Sequence, residues 1–341
     1  MRAADEEDPG STRPAPPRPA PANAPPPLLW AQAYAQLPRA QRWRPPWPSW
    51  VWAAPLFVLT VVTTMVIGAR LHFDFVRGLP SYYSKYDLYP FGWIWHHPAA
   101  LAGGLGFSAA LMGILLAHEL GHFLACRYYR LDSTLPLFLP APTLIGTWGA
   151  FIKIKMPFHD RREVFDIGIA GPLAGLALTL PLLAYGMARS HVLTAAQVPL
   201  WQDQFLHFGW PPLVAWFAAW LHPGIPAGRI ALSPVARAAW VGLFVTMLNL
   251  IPGAQLDGGH VLYAIWPRAH AVISWMAMLG LVAAGWFFWP GWYIFAAFIA
   301  LMRVRHPAVP ALEPLDTRRR MLALLCLVVF AVTFVPMPLL T

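Results

Sequence analysis

Residues 100–126 read ALAGGLGFSAALMGILLAHELGHFLAC. The run is long and apolar enough for one helical crossing of a bilayer, which takes roughly 20 residues. Inside it stand His118, Glu119 and His122. A carboxylate placed at that depth costs at least ~2.5–3.5 kcal/mol, so Glu119 needs a compensating partner. On a helix, positions i and i+4 share a face about 6 Å apart, so His118 and His122 can hold one metal ion from adjacent turns. Glu119 points about 100° away from His118 and can reach a water at the ion rather than the ion itself.

The rest of the chain supports a membrane setting. Of its 341 residues, 58% are hydrophobic and 11% charged, with 18 Trp and 20 Phe. Soluble domains carry about 25% charged residues. The formal charge of +9 is spread in short clusters between apolar runs, which argues for membrane topology and against nucleic acid as a partner. The apolar stretches are about 51–71, 100–126, 164–188, 236–256, 269–287, 290–302 and 321–340. The expected fold is therefore an all-α polytopic membrane protein with about seven transmembrane helices. The weaker run 205–222, broken by Pro211 and Pro212, is expected to be re-entrant or interfacial.

Lys and Arg number six in residues 1–50, two in 71–99, six in 127–163, two in 189–235 and five in 303–320. That alternation places the amino terminus in the cytoplasm. The Ala, Pro, Arg and Trp bias suggests a bacterial inner membrane. Residues 1–50 hold 13 of the 37 prolines and read as a disordered tail ahead of a membrane domain at 51–341. Cys126 and Cys326 fit no metal-ligand spacing and read as buried thiols.

Asp257 is the second carboxylate out of place. It lies eleven residues before Arg268, while His118 and His122 lie nine and five before Arg127, so the three groups fall at comparable depth on spans running the same way. A catalytic zinc takes three protein ligands and keeps one open position. His118, His122 and Asp257 are the expected set, one Zn2+ per chain, with Glu119 as the base.

HELGH at 118–122 and NLIPGAQLDGGH at 249–260, with FDIGIAGPLAG at 165–175, resemble the site-2 protease family of intramembrane metalloproteases, in particular members without a PDZ domain. The resemblance covers about 100–270. It implies a core of three catalytic spans, zinc on two His and one Asp, and cleavage of transmembrane or membrane-anchored protein substrates within the lipid bilayer. It leaves no room for an inserted PDZ or a terminal CBS domain.

Other residues carry two readings each. Asn249 is a donor to substrate backbone or developing oxyanion, or else an interhelical hydrogen bond; the resemblance favours the first. His260 stabilises the tetrahedral intermediate, orients Asp257, or is structural. Pro252 and Gly253 should break the helix before Asp257. Gly113, Ala117, Gly121 and Ala125 form a small-residue stripe, with Gly168, Gly171 and Gly175 as a matching surface for close packing. Residues 146–156, GTWGAFIKIKM, end in alternation of Ile152, Ile154 and Met156 against Phe151, Lys153 and Lys155, a short strand or hairpin at the cytoplasmic interface that either takes an extended substrate on its edge or only covers the site. A divalent-metal transporter is the first rival, but its polar groups should be spaced across the bilayer rather than gathered at one depth. The second is a non-catalytic scaffold, which would have no use for Glu119.

Overall fold

A computed structural model describes residues 49–83, 85–154, 158–302, 309 and 314–340. The expected tail, Lys155 and Met156 of the alternating segment, and most of the 303–320 loop lie outside the described residues. The chain divides into two units, residues 1–43 and 44–341, and everything below concerns the second.

Among the described residues, four helices are long and apolar enough to cross a membrane. They include α1 (Ser49–Val76), α2 (Leu105–Tyr128, extending a short 3-10 segment from Pro98) and α3 (Arg161–Ala188). Between later segments lie α4 (Pro212–Leu221), α5 (Pro234–Asn249) and α6 (Asp257–Ile265). The fourth long helix is α7 (His270–Phe287), followed by α8 (Trp292–Leu301) and α9 (Thr317–Thr333). In each of the four, less than half of the most apolar window is buried within the molecule. Their outward faces therefore have an apolar solvent to meet, and a helix satisfies its own backbone there.

The seven apolar stretches and the helices do not correspond one to one. The 236–256 run stops being helical at Asn249 and resumes at Asp257, because Pro252 lacks an amide hydrogen and cannot continue the ladder. The 290–302 run yields the ten residues of α8, and the 321–340 run yields α9, which ends at Thr333.

The α3 helix is the hub. It packs against α2, α5 and α6, and α2 also packs against α5. Its first turn is capped by Asp160, which accepts from the Arg162 amide. Two sets of contacts define the ends of this bundle. At the first, Tyr129 donates to Asp166, and Arg319 of α9 grips the same carboxylate at 2.6 and 2.8 Å. Burial and that carboxylate push the Tyr129 phenol up to about 12, so it remains a donor. At the second end, Phe75 stacks on His191, the Phe205 amide donates to the Tyr82 carbonyl, and Ser233 donates to the Gly186 carbonyl. Two short antiparallel pairs close that end, His191–Val192 with Ile230–Ala231 and His207–Phe208 with Leu339–Leu340. Both ends of α4 stay there: Phe208 just before it meets Trp240, and His222 just after it donates to the Met187 carbonyl at 2.9 Å.

A further antiparallel pair, β1 (Leu137–Pro140) and β2 (Thr147–Phe151), precedes α3. Beyond Phe151 the alternating segment leaves the ladder and pairs with an earlier stretch: Ile154 bridges to Ser133, and the Lys153 carbonyl accepts from the Thr134 amide at 2.9 Å. The hairpin tip does not stay at a helix end. Gly146, at φ 82°, accepts from Thr63 at 2.6 Å, and a Cβ there would lie 2.7 Å from the Thr64 Cα, midway along α1. Phe138 packs edge-on against Phe57 on the same helix. A two-stranded hairpin leaves its outer edges unpaired, so at that depth its backbone polar groups need cover from the protein, as Thr63 gives the Gly146 carbonyl.

Candidate metal centre

Two elements bring the candidate ligands together. His118 and His122 occupy one face of α2, and Asp257 is the first residue of α6. The two Nε2 atoms are 3.2 Å apart. His118 Nε2 lies 3.2 Å from one Asp257 oxygen, and His122 Nε2 lies 3.3 Å from the other. A tetrahedral ion bound at ~2.0–2.1 Å has donor–donor edges of about 3.3 Å, so the residues fit such an ion in both chemistry and spacing. Both imidazoles are buried, and all three groups present donors within 4.8 Å of one another.

The orientation of His122 is fixed from behind. Its Nδ1 lies 2.7 Å from the Ile167 carbonyl of α3, which can only accept. Nδ1 therefore carries the hydrogen, and Nε2 turns its lone pair to the centre. The space behind the rings is made by glycine. A Cβ at Gly171 would come within 2.0 Å of His122 Nε2, and one at Gly175 within 3.2 Å of the His118 Cβ. The α3 glycines thus lie under the imidazoles, while Gly121 meets the Ala170 carbonyl. The sequence suggested packing alone for these positions. The usable signal was the spacing of four that Gly171 and Gly175 share with His118 and His122 on an antiparallel neighbour.

Gly258 and Gly259 follow Asp257 because α6 starts against the preceding loop. A Cβ at Gly258 would lie 2.2 Å from the Leu250 carbonyl oxygen, and one at Gly259 2.5 Å from that of Ala254. No side chain larger than hydrogen fits there without moving backbone.

Glu119 is buried and stands outside the group of three converging donors, one residue round the helix. Its carboxylate takes the backbone amide of Ile152, which ties the segment after β2 to this position. Asn249, the last residue of α5, brings its Nδ2 to 3.2 Å from His118 Nε2. It therefore stands beside the candidate centre and bridges two helices at once. His260 does not join the converging donors. Its ring packs edge-on against Phe158 at 5.7 Å, and its Cβ faces Gly168.

Comparison with known proteins bears on this arrangement. Residues 106–284 match the model of peptidase family M50, and they hold His118, Glu119, His122, Asn249 and Asp257. The chain is 30% identical over 320 residues to the probable zinc metalloprotease EGY1, chloroplastic, of Arabidopsis thaliana, covering 85% of this chain and 54% of that one. It is 30% identical over 225 residues to the probable zinc metalloprotease EGY2, chloroplastic, of Oryza sativa subsp. indica, covering 65% and 37%. With the probable zinc metalloprotease EGY1, chloroplastic, of Oryza sativa subsp. japonica, identity is 36% over 164 residues, covering 46% and 27%. The chain spans about half the length, or less, of these relatives. Since the family model covers more than half of the chain and includes every residue of the converging cluster, the chain belongs to peptidase family M50.

Proposed function

We propose that this protein is an intramembrane zinc metalloprotease that hydrolyses peptide bonds in or near membrane-spanning segments of other proteins. The observation that carries the reading is the triangle of His118, His122 and Asp257, with edges of 3.2–3.3 Å, set in helices with apolar outer faces. One zinc per chain would be held by these three residues, and it would supply Lewis acidity to the peptide carbonyl and the attacking water. Glu119 takes a proton from that water on its carboxylate and delivers it to the departing amine nitrogen. Asn249 donates from Nδ2 toward the reacting carbonyl oxygen, on the side of His118. His260 steadies α6 behind Asp257.

The broken path of α5 and α6 counts as one crossing in this reading. Its start is bonded to the far end of α3 through Ser233, and its finish to the beginning of α3 through Arg161. With α8 and α9 counted as crossings, the total is seven, and the basic loops 127–163 and 303–320 share the cytoplasmic side with the amino terminus. The residue bias supports a bacterial inner membrane. The chloroplastic relatives support an organelle membrane as the second reading.

The deciding experiment pairs zinc content with proteolysis in detergent. Wild type should hold one zinc and cleave a transmembrane substrate. Glu119→Gln should keep the zinc and lose about 10²–10⁴-fold or more in rate, because the base and the proton donor are one group. Cleavage by Glu119→Gln at close to the wild-type rate would falsify the mechanism, and zinc loss in that variant would make Glu119 a ligand.

A further inference from the structure

Asp257 enters the centre from a stretch of irregular backbone, residues 250–256, between α5 and α6. Such backbone is tolerated at membrane depth only where its polar groups find partners in the protein. The most demanding residue in it is Ala254, which is wholly buried and left-handed at φ 49°. Few residues other than glycine adopt that conformation without support.

The support comes from α7. The Ala254 amide donates to Ser274 Oγ at 3.1 Å, and the Ala254 carbonyl accepts from His270 Nε2 at 3.0 Å. His270 and Ser274 are i and i+4, so they lie one above the other on a single helix face. Both are buried. Together they take the two backbone polar groups of one residue, three positions before Asp257. The loop is held again at the next residue, where Gln255 donates to the Met302 carbonyl beyond α8.

We propose that His270 and Ser274 are positioning residues that set the place of Asp257 in the zinc centre, acting through Ala254. A ligand-bearing loop fixed at both polar groups of its left-handed residue cannot rotate Asp257 away from the two imidazoles. Cutting either bond frees the peptide planes flanking Ala254. The helix pair α7–α8, which contributes no donor to the centre, thereby governs metal affinity.

The inference rests on the reading of His118, His122 and Asp257 as ligands, and the experiment separates the two. Zinc affinity of the full chain in detergent is measured by competition with a chromophoric chelator, and the visible spectrum of the cobalt-loaded protein reports coordination. Asp257→Ala tests the ligand set: unchanged affinity and cobalt spectrum there reject that reading and the latch built on it. Ser274→Ala and His270→Leu test the latch. Each should weaken zinc about 10-fold or more and alter the cobalt spectrum. His270→Gln, which keeps an N–H donor at the same reach, should return affinity to near wild type. Ser108→Ala removes a buried hydrogen bond of 2.7 Å to Thr64, between α1 and α2, and should leave affinity and spectrum alone. Unchanged affinity and spectrum in both latch variants overturn the proposal, as does an equal loss in Ser108→Ala. Should His270→Leu fail to fold, Ser274→Ala decides, and an unaltered cobalt spectrum there is enough to reject the latch.

Discussion

The His122 ring is gripped between the Ile167 carbonyl on one nitrogen and the candidate centre on the other, and Gly171 leaves the room it stands in. A methyl group at Gly171 would overlap the ring, which can yield only by giving up one of those two attachments. Overpacking of this kind costs about 1–3 kcal/mol. Gly171→Ala should therefore weaken zinc about 10-fold or more in the chelator competition, since each 1.4 kcal/mol is a factor of ten. Gly113→Ala is the contrast. Its new Cβ would rest 3.5 Å from a Leu178 methyl, an ordinary contact, and alanine suits a helix interior better than glycine. It should keep wild-type zinc affinity, and equal losses in the two variants would separate the α3 glycines from the centre. These glycines show where sequence reading stops. The HELGH spacing and the isolated Asp257 were readable because a charge in an apolar run demands a partner. A small residue in a helix announces close approach but does not name what approaches. His270 and Ser274 were quieter still, since polar residues near the start of a span are ordinary.

At the scale of elements, α6 is a nine-residue helix that carries Asp257 at its first position and ends against Arg161. Arg161 Nε donates to the Ala264 carbonyl at 2.8 Å and Nη2 to the Ile265 carbonyl at 2.9 Å. These are carbonyls of the last turn, which have no partner within the helix, and a cation there also suits the helix dipole. Arg161→Ala would leave two acceptors without their charged donor, at a cost on the order of 2–3 kcal/mol. A lower melting temperature in detergent is the expected reading, with Arg161→Lys between the variant and wild type. An unchanged melt would mean that α6 is held by packing alone. The break that creates this short helix was legible in Pro252 and Gly253, as was the polar Asn249 that ends α5. The hairpin was less so. The stretch read as a strand, 146–156, contains β2, but its alternation runs from Phe151 onward whereas the ladder ends at Phe151, because Gly146 makes the turn and seats it on Thr63 and Thr64. A contact across more than 80 residues leaves no mark in local periodicity.

At the scale of the molecule, the two ends of the bundle differ in charge and in what ties them. One end gathers Tyr129, Asp166 and Arg319 and carries the loop 127–163, which is rich in Lys and Arg. The other joins the last turn of α1 and the segment after it to the segment after α3, through the Phe75–His191 stack and the Tyr82–Phe205 backbone bond. Among the described residues, four of the apolar stretches form unbroken helices long enough to cross a membrane. Length alone does not say whether the remaining apolar stretches cross, because they form shorter helices: α5 and α6 on either side of Pro252, and α8 and α9. Sidedness is therefore the sharper test of the whole arrangement. His159 and Ala195 are both exposed and lie on either side of α3, and Tyr83 is exposed beyond α1. Each is changed to Cys after Cys126 and Cys326 have been replaced, and a membrane-impermeant thiol reagent is applied to vesicles of known orientation. Ala195→Cys and Tyr83→Cys should react from one side, and His159→Cys only from the other. The positive-inside rule assigns His159→Cys to the cytoplasmic face, because its loop holds six Lys and Arg against two in the 189–235 loop. Reaction of His159→Cys and Ala195→Cys from the same side would mean that α3 does not cross, and the centre it supports through Ile167 and Gly171 would then lie outside the bilayer. Reaction on opposite sides with the faces exchanged would keep every contact of the bundle and reverse only the orientation, placing the candidate metal centre nearer the other membrane surface.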